Sequence, residues 1–458
     1  MPAIRPEKIS ADEMHLRRVR RLQVAGAVMT VIVSLVWGSF FAMRGDWLIV
    51  SLDMVTIAVS IASIVLVQRE RRRLAAFLYI AVVYLTLCFT SAMIDIPTHD
   101  VPRSMHLFLL PIAACSVLLL RQERGWLRHG IPLVCLATFT LFDCTNAHVD
   151  SPFALPDAIR SVGIWVDQAM ALLALYGGVL IIVADVRARN EAEAELRNAL
   201  LRGELLLHYQ PQVGEHGNVT GAEALVRWRH PSRGLVPPND FIPLAESTGL
   251  MIPLGDWVLR AGCLQLARWQ ANASMRGLSL AINVSASQFA ETGFVARVLA
   301  VVHETGAPTS LLKLELTESV LADDLDDVVR KMNELKQHGV RFSLDDFGTG
   351  FSSLSYLRQL PLDQLKIDQS FVRNILRSTE DASIARTVVE LGHGLHLDVI
   401  AEGVETEAHR AFLAGIGCSH YQGYFFARPL ASPDFDAFVA ARAGASANAE
   451  GVVVVTIA

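Results

Sequence analysis

The sequence predicts a protein in two parts, an α-helical transmembrane bundle followed by an α/β barrel of the TIM type. Hydrophobic residues make up 52% of the 458 residues, and long apolar runs are concentrated before residue 185. After residue 204, short apolar runs alternate with longer helical patterns, which is typical of an α/β fold. A chain of this length also exceeds a single ordinary domain.

The charge is distributed unevenly between the two parts. Residues 1–194 carry 18 Lys and Arg against 16 Asp and Glu, whereas the remaining residues carry 22 against 30. An acidic second part without a basic tract argues against long nucleic acid as a ligand. Such a part suits divalent cations, which bind through oxygen ligands. The six cysteines form no CxxC pair, so we expect buried thiols and no disulfide framework.

Six apolar segments of the first part are predicted membrane spans, because a bilayer requires about 20 mostly apolar residues. The fourth segment is short, and no small-residue cleavage site follows the first, so we expect an anchor and not a cleaved signal peptide. The six segments are Leu22 to Met43, Trp47 to Val67, Leu74 to Ile94, His106 to Leu120, Gly130 to Asn146 and Val162 to Ala184.

The arginines predict the orientation of these spans. The alternate loops carry only Arg44, Arg103 and Arg160, whereas the other flanking segments are rich in arginine. By the positive-inside rule, both termini and the whole second part then lie in the cytoplasm. The arginines on the expected inner side are Arg17, Arg18, Arg20, Arg21, Arg69, Arg71, Arg72, Arg73, Arg121, Arg124, Arg128, Arg187 and Arg189.

Two stretches on the expected outer side contain side chains of the types that bind metals. Asp143 stands out, because an ionisable group within a span is a functional candidate. A sensory ligand or metal site and a set of solvated loop residues are both open interpretations. The side chains are Asp95, His99, Asp100 and His106 in the first stretch and Asp143, Cys144, His148 and Asp150 in the second.

The segment after the last span is rich in Ala, Glu, Arg and Leu and lacks Pro and Gly, so it predicts a helix that continues from the membrane. The expected organisation is a cytoplasmic segment 1–21, a six-helix sensory or anchoring domain 22–184, a helical connector 185–202, a barrel 203–437 and an Ala/Gly-rich tail 438–458.

Eight strands with intervening helices over about 240 residues fit a TIM-type barrel. The predicted strands are Leu205 to Val213, Gly221 to Trp228, Leu278 to Val284, Leu311 to Leu316, Arg341 to Leu344, Gln364 to Ile367, Asp398 to Ala401 and His420 to Phe426. The helical stretches are Phe241 to Trp269, which is long enough for two helices, Phe294 to Glu304, Asp326 to His338, Ser383 to His396 and Thr406 to Gly415.

Polar side chains recur where these apolar strands end. Burying an unpaired charge costs several kcal/mol, roughly 3 or more, so such residues are poor core residues. In a TIM barrel the C-terminal strand ends meet on one rim, and the pattern therefore predicts one charged centre. A single such residue would be equally compatible with a helix cap. The residues are Glu223, Asn283, Glu315, Asp345, Asp346, Lys366 and Glu402.

An ordered series of segments resembles the EAL-domain cyclic-di-GMP phosphodiesterases over about residues 196–435. A lone EAL tripeptide would be worthless, but the series is highly specific. Its segments are HYQPQV at 208–213, GAEALVRWRHP at 221–231, FIPLAESTGL at 241–250, INVSASQF at 282–289, LELTES at 314–319, LDDFGTGFSSL at 344–354, LKID at 365–368, AEGVE at 401–405 and YQGYFFARPL at 421–430.

The resemblance implies an enzyme of the bacterial inner membrane that hydrolyses cyclic-di-GMP to linear pGpG with two Mg²⁺ or Mn²⁺ ions. Two such ions bind the phosphate and activate water, and Mg²⁺ and Mn²⁺ prefer carboxylate and amide oxygens as ligands. By resemblance, Glu223, Asn283, Glu315 and Asp345 bind the first ion, and Asp346 and Glu402 serve the second. The resemblance gives catalytic roles to Lys366, which positions the water, and to Glu402 and Glu223.

The resemblance also implies substrate contacts and a link to dimerisation. Gln210, Arg227 and Gln422 resemble substrate-contacting positions, although Arg227 also suits a structural ion pair. Glu318 resembles the anchor of a flexible loop through Gly348 and Gly350, which connects the metal site to a homodimer. A simple acidic residue at a helix N-terminus is the alternative for Glu318.

Two alternatives to the enzyme stay open. One is a receptor that holds cyclic-di-GMP without cutting it, and the other is a signalling module that docks another protein. The receptor interpretation expects lost metal or lysine positions, whereas all of them are present here.

Overall fold

The computed structural model describes residues 11–120, 123, 125–322, 324–347 and 357–450. The chain divides into two compact units, Met1–Ala192 and Glu193–Ala458. Each unit has buried apolar clusters of its own.

The first unit consists of apolar helices, and five of them are long and apolar enough to cross a membrane. The helical segment Met105–Leu119 is shorter. At about 1.5 Å per residue, its length is less than the thickness of a hydrocarbon core of about 30 Å. It corresponds to the fourth predicted span. The helices are α1 (Ala11–Arg44), α2 (Trp47–Gln68), α3 (Arg72–Met93), α4 (Leu109–Leu119, after a 3₁₀ turn), α5 (Gly125–Cys144) and α6 (Asp157–Arg202).

The helix α6 runs without interruption from Asp157 to Arg202, so the predicted connector 185–202 is the C-terminal part of this helix. Large apolar side chains on α6, including Trp165 and Leu173, are exposed. Exposed apolar surface of this extent suits contact with lipid.

The predicted metal-type side chains of the first unit are separated into pairs. His106 Nε2 lies 3.4 Å from Asp143 Oδ1, while Asp95 is buried and accepts a hydrogen bond from Arg160 Nε at 2.9 Å. Cys144 is exposed. The other pairs are His99 with Asp100 and His148 with Asp150. Within the described residues of these stretches, no three His, Cys, Asp or Glu side chains surround a common metal position.

The second unit contains a closed barrel of eight strands, as predicted. Around the barrel the order is β1, β9, β8, β7, β6, β5, β4 and β2, and β2 pairs with β1 to close the ring. The strands are β1 (Leu205–Gly214), β2 (Val219–His230), β3 (Gly234–Val236), β4 (Ser279–Val284), β5 (Leu312–Thr317), β6 (Arg341–Phe347), β7 (Gln364–Ile367), β8 (Asp398–Ala401) and β9 (His420–Gln422).

One strand of the barrel runs against the others. β1 is antiparallel to both β2 and β9, whereas the remaining barrel strands pair in parallel. The turn 215–218 between β1 and β2 is too short for a crossover and therefore makes a hairpin. The short strand β3 pairs with β2 outside the ring and was not predicted.

Helices follow most of the strands, and the stretch Phe241 to Trp269 forms two of them, as predicted. The last helix extends past the predicted barrel end at 437. Its residue Phe435 is buried, stacks on Trp269 at 4.9 Å and packs near Tyr209 of β1. The helices are α7 (Ile242–Thr248), α8 (Met251–Ala271), α9 (Ala286–Ala290), α10 (Phe294–Thr305), α11 (Leu325–Gln337), α12 (Gln369–Asn374), α13 (Thr379–Gly394), α14 (Glu407–Gly415) and α15 (Ser432–Glu450).

The strand β9 ends at Gln422, four residues before the predicted end at Phe426. Beyond it, Gly423 passes very close to the loop that follows β8. A Cβ on Gly423 would lie 2.2 Å from Val404 O and 2.3 Å from Val404 N. The same backbone carries hydrogen bonds from Val404 N to Gln422 O and from Phe425 N to Val404 O. This close approach fixes the end of β9 against the segment that carries Glu402.

We expect Gly423→Ala to destabilise the barrel by about 1–3 kcal/mol, because the added methyl group overlaps backbone that has no room to move. Urea unfolding of the fragment 193–458, followed by tryptophan fluorescence, measures this change. Gly415→Ala is the matched control, since a Cβ at Gly415 meets no atom within 4 Å. Equal stability of the two variants would contradict the contact.

Candidate active site

The register of the parallel strands brings the predicted polar residues to one end of the barrel. Asn283 on β4 is level with Glu315 on β5, and Thr317 is level with Asp345 on β6. Ile367 on β7, next to Lys366, is level with Ala401 on β8, and Glu402 follows directly. The carboxyl ends of the strands therefore form the rim that the sequence predicts.

Lys366 lies at the centre of this rim and is fully buried. Its Nζ donates to Glu315 Oε2 at 2.7 Å and lies 2.5 Å from Glu402 Oε1. The same ammonium lies 3.2 Å from Asp345 Oδ1 and 3.7 Å from Glu223 Oε2. One cation thus faces four carboxylates from four different strands or strand ends.

This imbalance changes the proton affinities of the cluster. Burial, together with the neighbouring Glu223 and Asp345, raises the pKa of Glu315 to about 8, although Lys366 opposes the change. Burial also raises the pKa of Glu402 well above its ordinary value. Burial alone would lower the pKa of Lys366, but the four carboxylates hold it well above its usual range. The centre therefore favours uptake of positive charge.

Amide side chains hold Glu223 from two sides. Asn283 Nδ2 donates to Glu223 Oε1 at 2.6 Å, and Gln422 Nε2 donates to Glu223 Oε2 at 2.5 Å. Gln422 Nε2 also lies 3.2 Å from Gln210 Oε1, and Gln212 Nε2 donates to Gln422 Oε1 at 3.1 Å. Two predicted substrate positions, Gln210 and Gln422, are therefore adjacent to the carboxylate cluster.

Gln212 is a site residue that the sequence argument missed. It orients Gln422 and is buried. Its spacing of two residues from Gln210 was the available signal, because such residues share one face of a strand.

Asp345 and Asp346 are neighbours in sequence, and a regular strand would point them to opposite faces. The register of β6 against β7 shifts between Leu344 and Phe347, and Asp346 has a left-handed φ of 55°. Its amide donates to Asp345 Oδ1 at 3.0 Å. Burial, Asp345 and Asp368 raise the pKa of Asp346 to about 6. The bulge thus keeps both aspartates close to the site. To do so, Asp346 adopts a left-handed backbone conformation that is uncommon for residues other than glycine.

The remaining predicted residues lie at varied positions. Arg227 is half-buried on β2, where burial lowers its pKa and Tyr424 and Glu223 oppose that change. Its Nη1 donates to Val226 O, and no ion pair of Arg227 is formed within the described residues. Glu318 begins the 3₁₀ helix Glu318–Ala322 directly after β5. Gly348 and Gly350 lie outside the described residues.

The donor set of the rim fits divalent cations. Glu315 Oε1 is buried without a hydrogen-bond partner among the described residues, and Lys366 balances only one of the four carboxylates. Carboxylate and amide oxygens are the ligands that Mg²⁺ and Mn²⁺ prefer. In the described residues no three acidic, His or Cys side chains surround a common metal position, since here the Lys366 ammonium lies among the carboxylates.

A family comparison agrees with this geometry. The EAL domain profile matches residues 193–429, which is more than half of the chain. The chain belongs to the EAL-domain family. The matched range of the EAL domain contains the whole barrel up to β9 and all the predicted site residues.

Two curated relatives from Pseudomonas aeruginosa are similar to the EAL domain. The bifunctional diguanylate cyclase/cyclic di-GMP phosphodiesterase MucR is 43% identical over 247 residues, which cover 54% of this chain and 36% of MucR. The cyclic di-GMP phosphodiesterase NbdA is 44% identical over 259 residues, which cover 56% of this chain and 33% of NbdA. The chain thus spans about a third of the length of these relatives.

Solved structures resemble the EAL domain as well. The PaMucR phosphodiesterase in complex with c-di-GMP has a TM-score of 0.52 and 42% identity, and the match covers 54% of this chain and 99% of that chain. The EAL enzyme Bd1971, in its form with cAMP and cyclic-di-GMP bound, has a TM-score of 0.54 and 32% identity. This match covers 60% of this chain and 75% of that chain. The barrel of this chain is therefore an EAL barrel.

We expect Lys366→Met to destabilise the fragment 193–458 by roughly 3 kcal/mol in the presence of a chelator, because it leaves buried carboxylates without their cation. Urea unfolding measures the change.

A double-mutant cycle with Glu315→Gln provides the control for this prediction. The double variant should be more stable than Lys366→Met alone, because one uncompensated buried carboxylate has been removed. A double variant whose loss equals the sum of the two single losses would contradict the electrostatic coupling.

Proposed function

We propose that the protein is a cyclic-di-GMP phosphodiesterase that opens its substrate to linear pGpG. The observation that carries this proposal is the convergence of Glu223, Glu315, Asp345 and Glu402 on the buried Lys366. The relatives support it, because MucR and NbdA are named as cyclic di-GMP phosphodiesterases and the PaMucR structure is a c-di-GMP complex.

The proposed cofactor is a pair of divalent ions, Mg²⁺ or Mn²⁺. When bound, the two ions supply positive charge to the phosphate and make water a better nucleophile near neutral pH. The rim offers oxygen donors alone, and the buried Glu315 Oε1 is an orphaned acceptor. The proposed ligands are Glu223, Asn283, Glu315 and Asp345 for one ion and Asp346 and Glu402 for the other.

The remaining chemistry belongs to the side chains. Lys366 holds the attacking water and stabilises the negative charge that develops on the phosphate oxygens. Glu402 accepts a proton from that water. The water oxygen forms a new bond to phosphorus, the bond from phosphorus to the 3′ oxygen breaks, and that oxygen takes up a proton from solvent. The product is the linear dinucleotide with one 5′ phosphate.

Binding and orientation of the dinucleotide fall to three further residues. Gln210 and Gln422 lie beside Glu223 and provide amide groups close to the reacting phosphate. The guanidinium of Arg227 is half-buried, and such a group binds a phosphate oxygen strongly because both partners are charged. Gln212 is a positioning residue, since it acts through Gln422.

We also propose that the protein is anchored in the bacterial inner membrane, with both termini and the EAL barrel in the cytoplasm. Five helices of the first unit are long and apolar enough to cross a bilayer, and in this proposal the shorter segment Met105–Leu119 makes the sixth crossing, which keeps both termini on one side. The excess of arginine in alternate segments supports the orientation. The membrane unit then regulates the barrel.

A homodimer through the barrel is a further part of the proposal. Glu318, directly after β5, would anchor the loop through Gly348 and Gly350, whose residues follow Asp346 in sequence. Movement of that loop would then couple the dimer contact to the carboxylate centre.

We expect full-length protein in lipid nanodiscs to convert cyclic-di-GMP to pGpG with Mg²⁺ or Mn²⁺. Glu223→Gln and Lys366→Ala should each lower kcat by at least about 100-fold, in line with the loss of one charge-stabilising group at a reacting centre. Product formation is measured by chromatography.

The matched control is Glu390→Gln, which removes an exposed carboxylate from α13 and should leave the rate unchanged. Binding of cyclic-di-GMP without turnover under all metal conditions would favour the receptor alternative. Full activity of Glu223→Gln or Lys366→Ala would refute the assigned roles.

Metal binding has a readout that is independent of turnover. The electron paramagnetic resonance signal of free Mn²⁺ disappears on binding, so a titration of the full-length protein gives stoichiometry and affinity. We expect the wild-type protein to bind two Mn²⁺, and Asp345→Asn to weaken binding at least tenfold, because one ligand carboxylate has lost its charge. Glu390→Gln should bind as the wild type does. Equal binding by Asp345→Asn would remove Asp345 from the ligand set.

A further inference from the structure

A cavity of about 120 Å³ lies entirely within the first unit, among helices α1, α2, α3 and α6 and the segment that connects α3 to α4. Its walls come from residues 33–41 of α1, 49–53 of α2, 86–90 of α3 and 159–167 of α6. These are the parts of the helices that the arginine pattern places toward the outer face of the membrane. Most of the lining is apolar, and it includes the rings of Trp37 and Phe41.

The charge of Arg160 is fully engaged at one end of this cavity. Its Nε donates to Asp95 Oδ1 at 2.9 Å, and its Nη1 donates to Asp157 Oδ1 at 3.1 Å. Its Nη2 donates to two backbone carbonyls. Asp95 Oδ2 accepts from the amides of Ser104 and Met105. Arg160 and Asp95 therefore neutralise each other in a closed network.

Two other carboxylates of the lining have no cationic partner among the described residues. Asp53 Oδ2 is buried without a hydrogen-bond partner, and Asp167 Oδ2 accepts a single hydrogen bond from Ser104 Oγ at 2.7 Å. In the part of the chain that the structure describes, Arg160 is the one basic side chain of the lining. Carboxylates inside a membrane domain are costly, and they are retained where they meet a functional partner.

We propose that this cavity binds a small organic cation, an alkylammonium ion, whose charge is balanced by Asp53 and Asp167, the two carboxylates of the described lining that lie outside the network of Arg160 and Asp95. The apolar walls accommodate the alkyl groups, and Trp37 and Phe41 add cation–π attraction. An inorganic cation is a poorer match, because it needs several oxygen ligands, and no three of the described carboxylates of this lining surround a common position. Since an engineered cavity of about 150 Å³ binds benzene, this one suits an ion of about five heavy atoms.

The glycine Gly163 on α6 provides a way to fill the cavity without disturbing the carboxylates. It belongs to the lining, and a Cβ at this position meets no atom within 4 Å. Gly177 lies on the same helix, and a Cβ there also meets no atom within 4 Å, but Gly177 does not line the cavity. Gly163→Leu and Gly177→Leu are thus a matched pair.

The test measures equilibrium binding of radiolabelled tetramethylammonium to the full-length protein in lipid nanodiscs. We expect saturable binding that tert-butylammonium displaces and that tert-butanol, an uncharged molecule of the same shape, displaces at least tenfold less effectively. Asp53→Asn and Gly163→Leu should each raise Kd at least tenfold. Gly177→Leu and Asp100→Asn, which alters an exposed carboxylate of the same unit, should retain wild-type affinity.

Three results would each overturn the proposal. The first is the lack of saturable binding of either ammonium ion to the wild-type protein. The second is equal displacement by tert-butanol and tert-butylammonium, which would indicate an apolar pocket without charge selection. The third is wild-type affinity in both Asp53→Asn and Gly163→Leu. Because Asp53→Asn and Gly163→Leu change the first unit alone, their effect on Kd is independent of phosphodiesterase activity.

Discussion

A single buried ammonium, that of Lys366, faces four carboxylates at the carboxyl end of the EAL barrel, and the arrangement of the rim depends on this imbalance. A fully buried lysine is costly unless it is paired, and four carboxylates hold its pKa high. The carboxylates are in turn too numerous for one cation, and burial, together with the neighbouring Glu223 and Asp345, raises the pKa of Glu315 to about 8. The folded barrel therefore has a surplus of negative charge at one rim, and binding of additional cations there would be favourable.

Strand register brings the side chains of this rim together. Parallel pairing places residues at equivalent heights, so Asn283 and Glu315 come level without any special local sequence. The two exceptions to regular parallel pairing both serve the same rim. The hairpin of β1 and β2 sets Gln210 opposite Glu223, and the bulge after Leu344 keeps Asp346 near Asp345.

The residue types at strand ends were predictable because a charged side chain after an apolar run is hard to accommodate elsewhere, and Glu223, Asp345, Lys366 and Glu402 all follow that pattern. The closed barrel of eight strands was predictable from the alternation of elements. The reversed direction of β1 follows from a four-residue turn that hydrophobic periodicity does not reveal. Hydrogen-bond partners could not be predicted from the sequence either, since Gln212 donates to Gln422, which lies 210 residues away in the chain.

The first unit contains carboxylates in two contrasting environments, and only the structure distinguishes Asp53 from Asp95. Asp95 receives a complete set of partners from Arg160 and two backbone amides, so its charge serves to hold segments together. Asp53 lies inside an apolar run like other tolerated polar residues. Only the structure shows that it lines one cavity with Asp167 of α6, more than 100 positions later, and that neither carboxylate has a cationic partner among the described residues. In the barrel and in the first unit alike, a carboxylate that folding leaves uncompensated identifies where a positively charged ligand would contribute most.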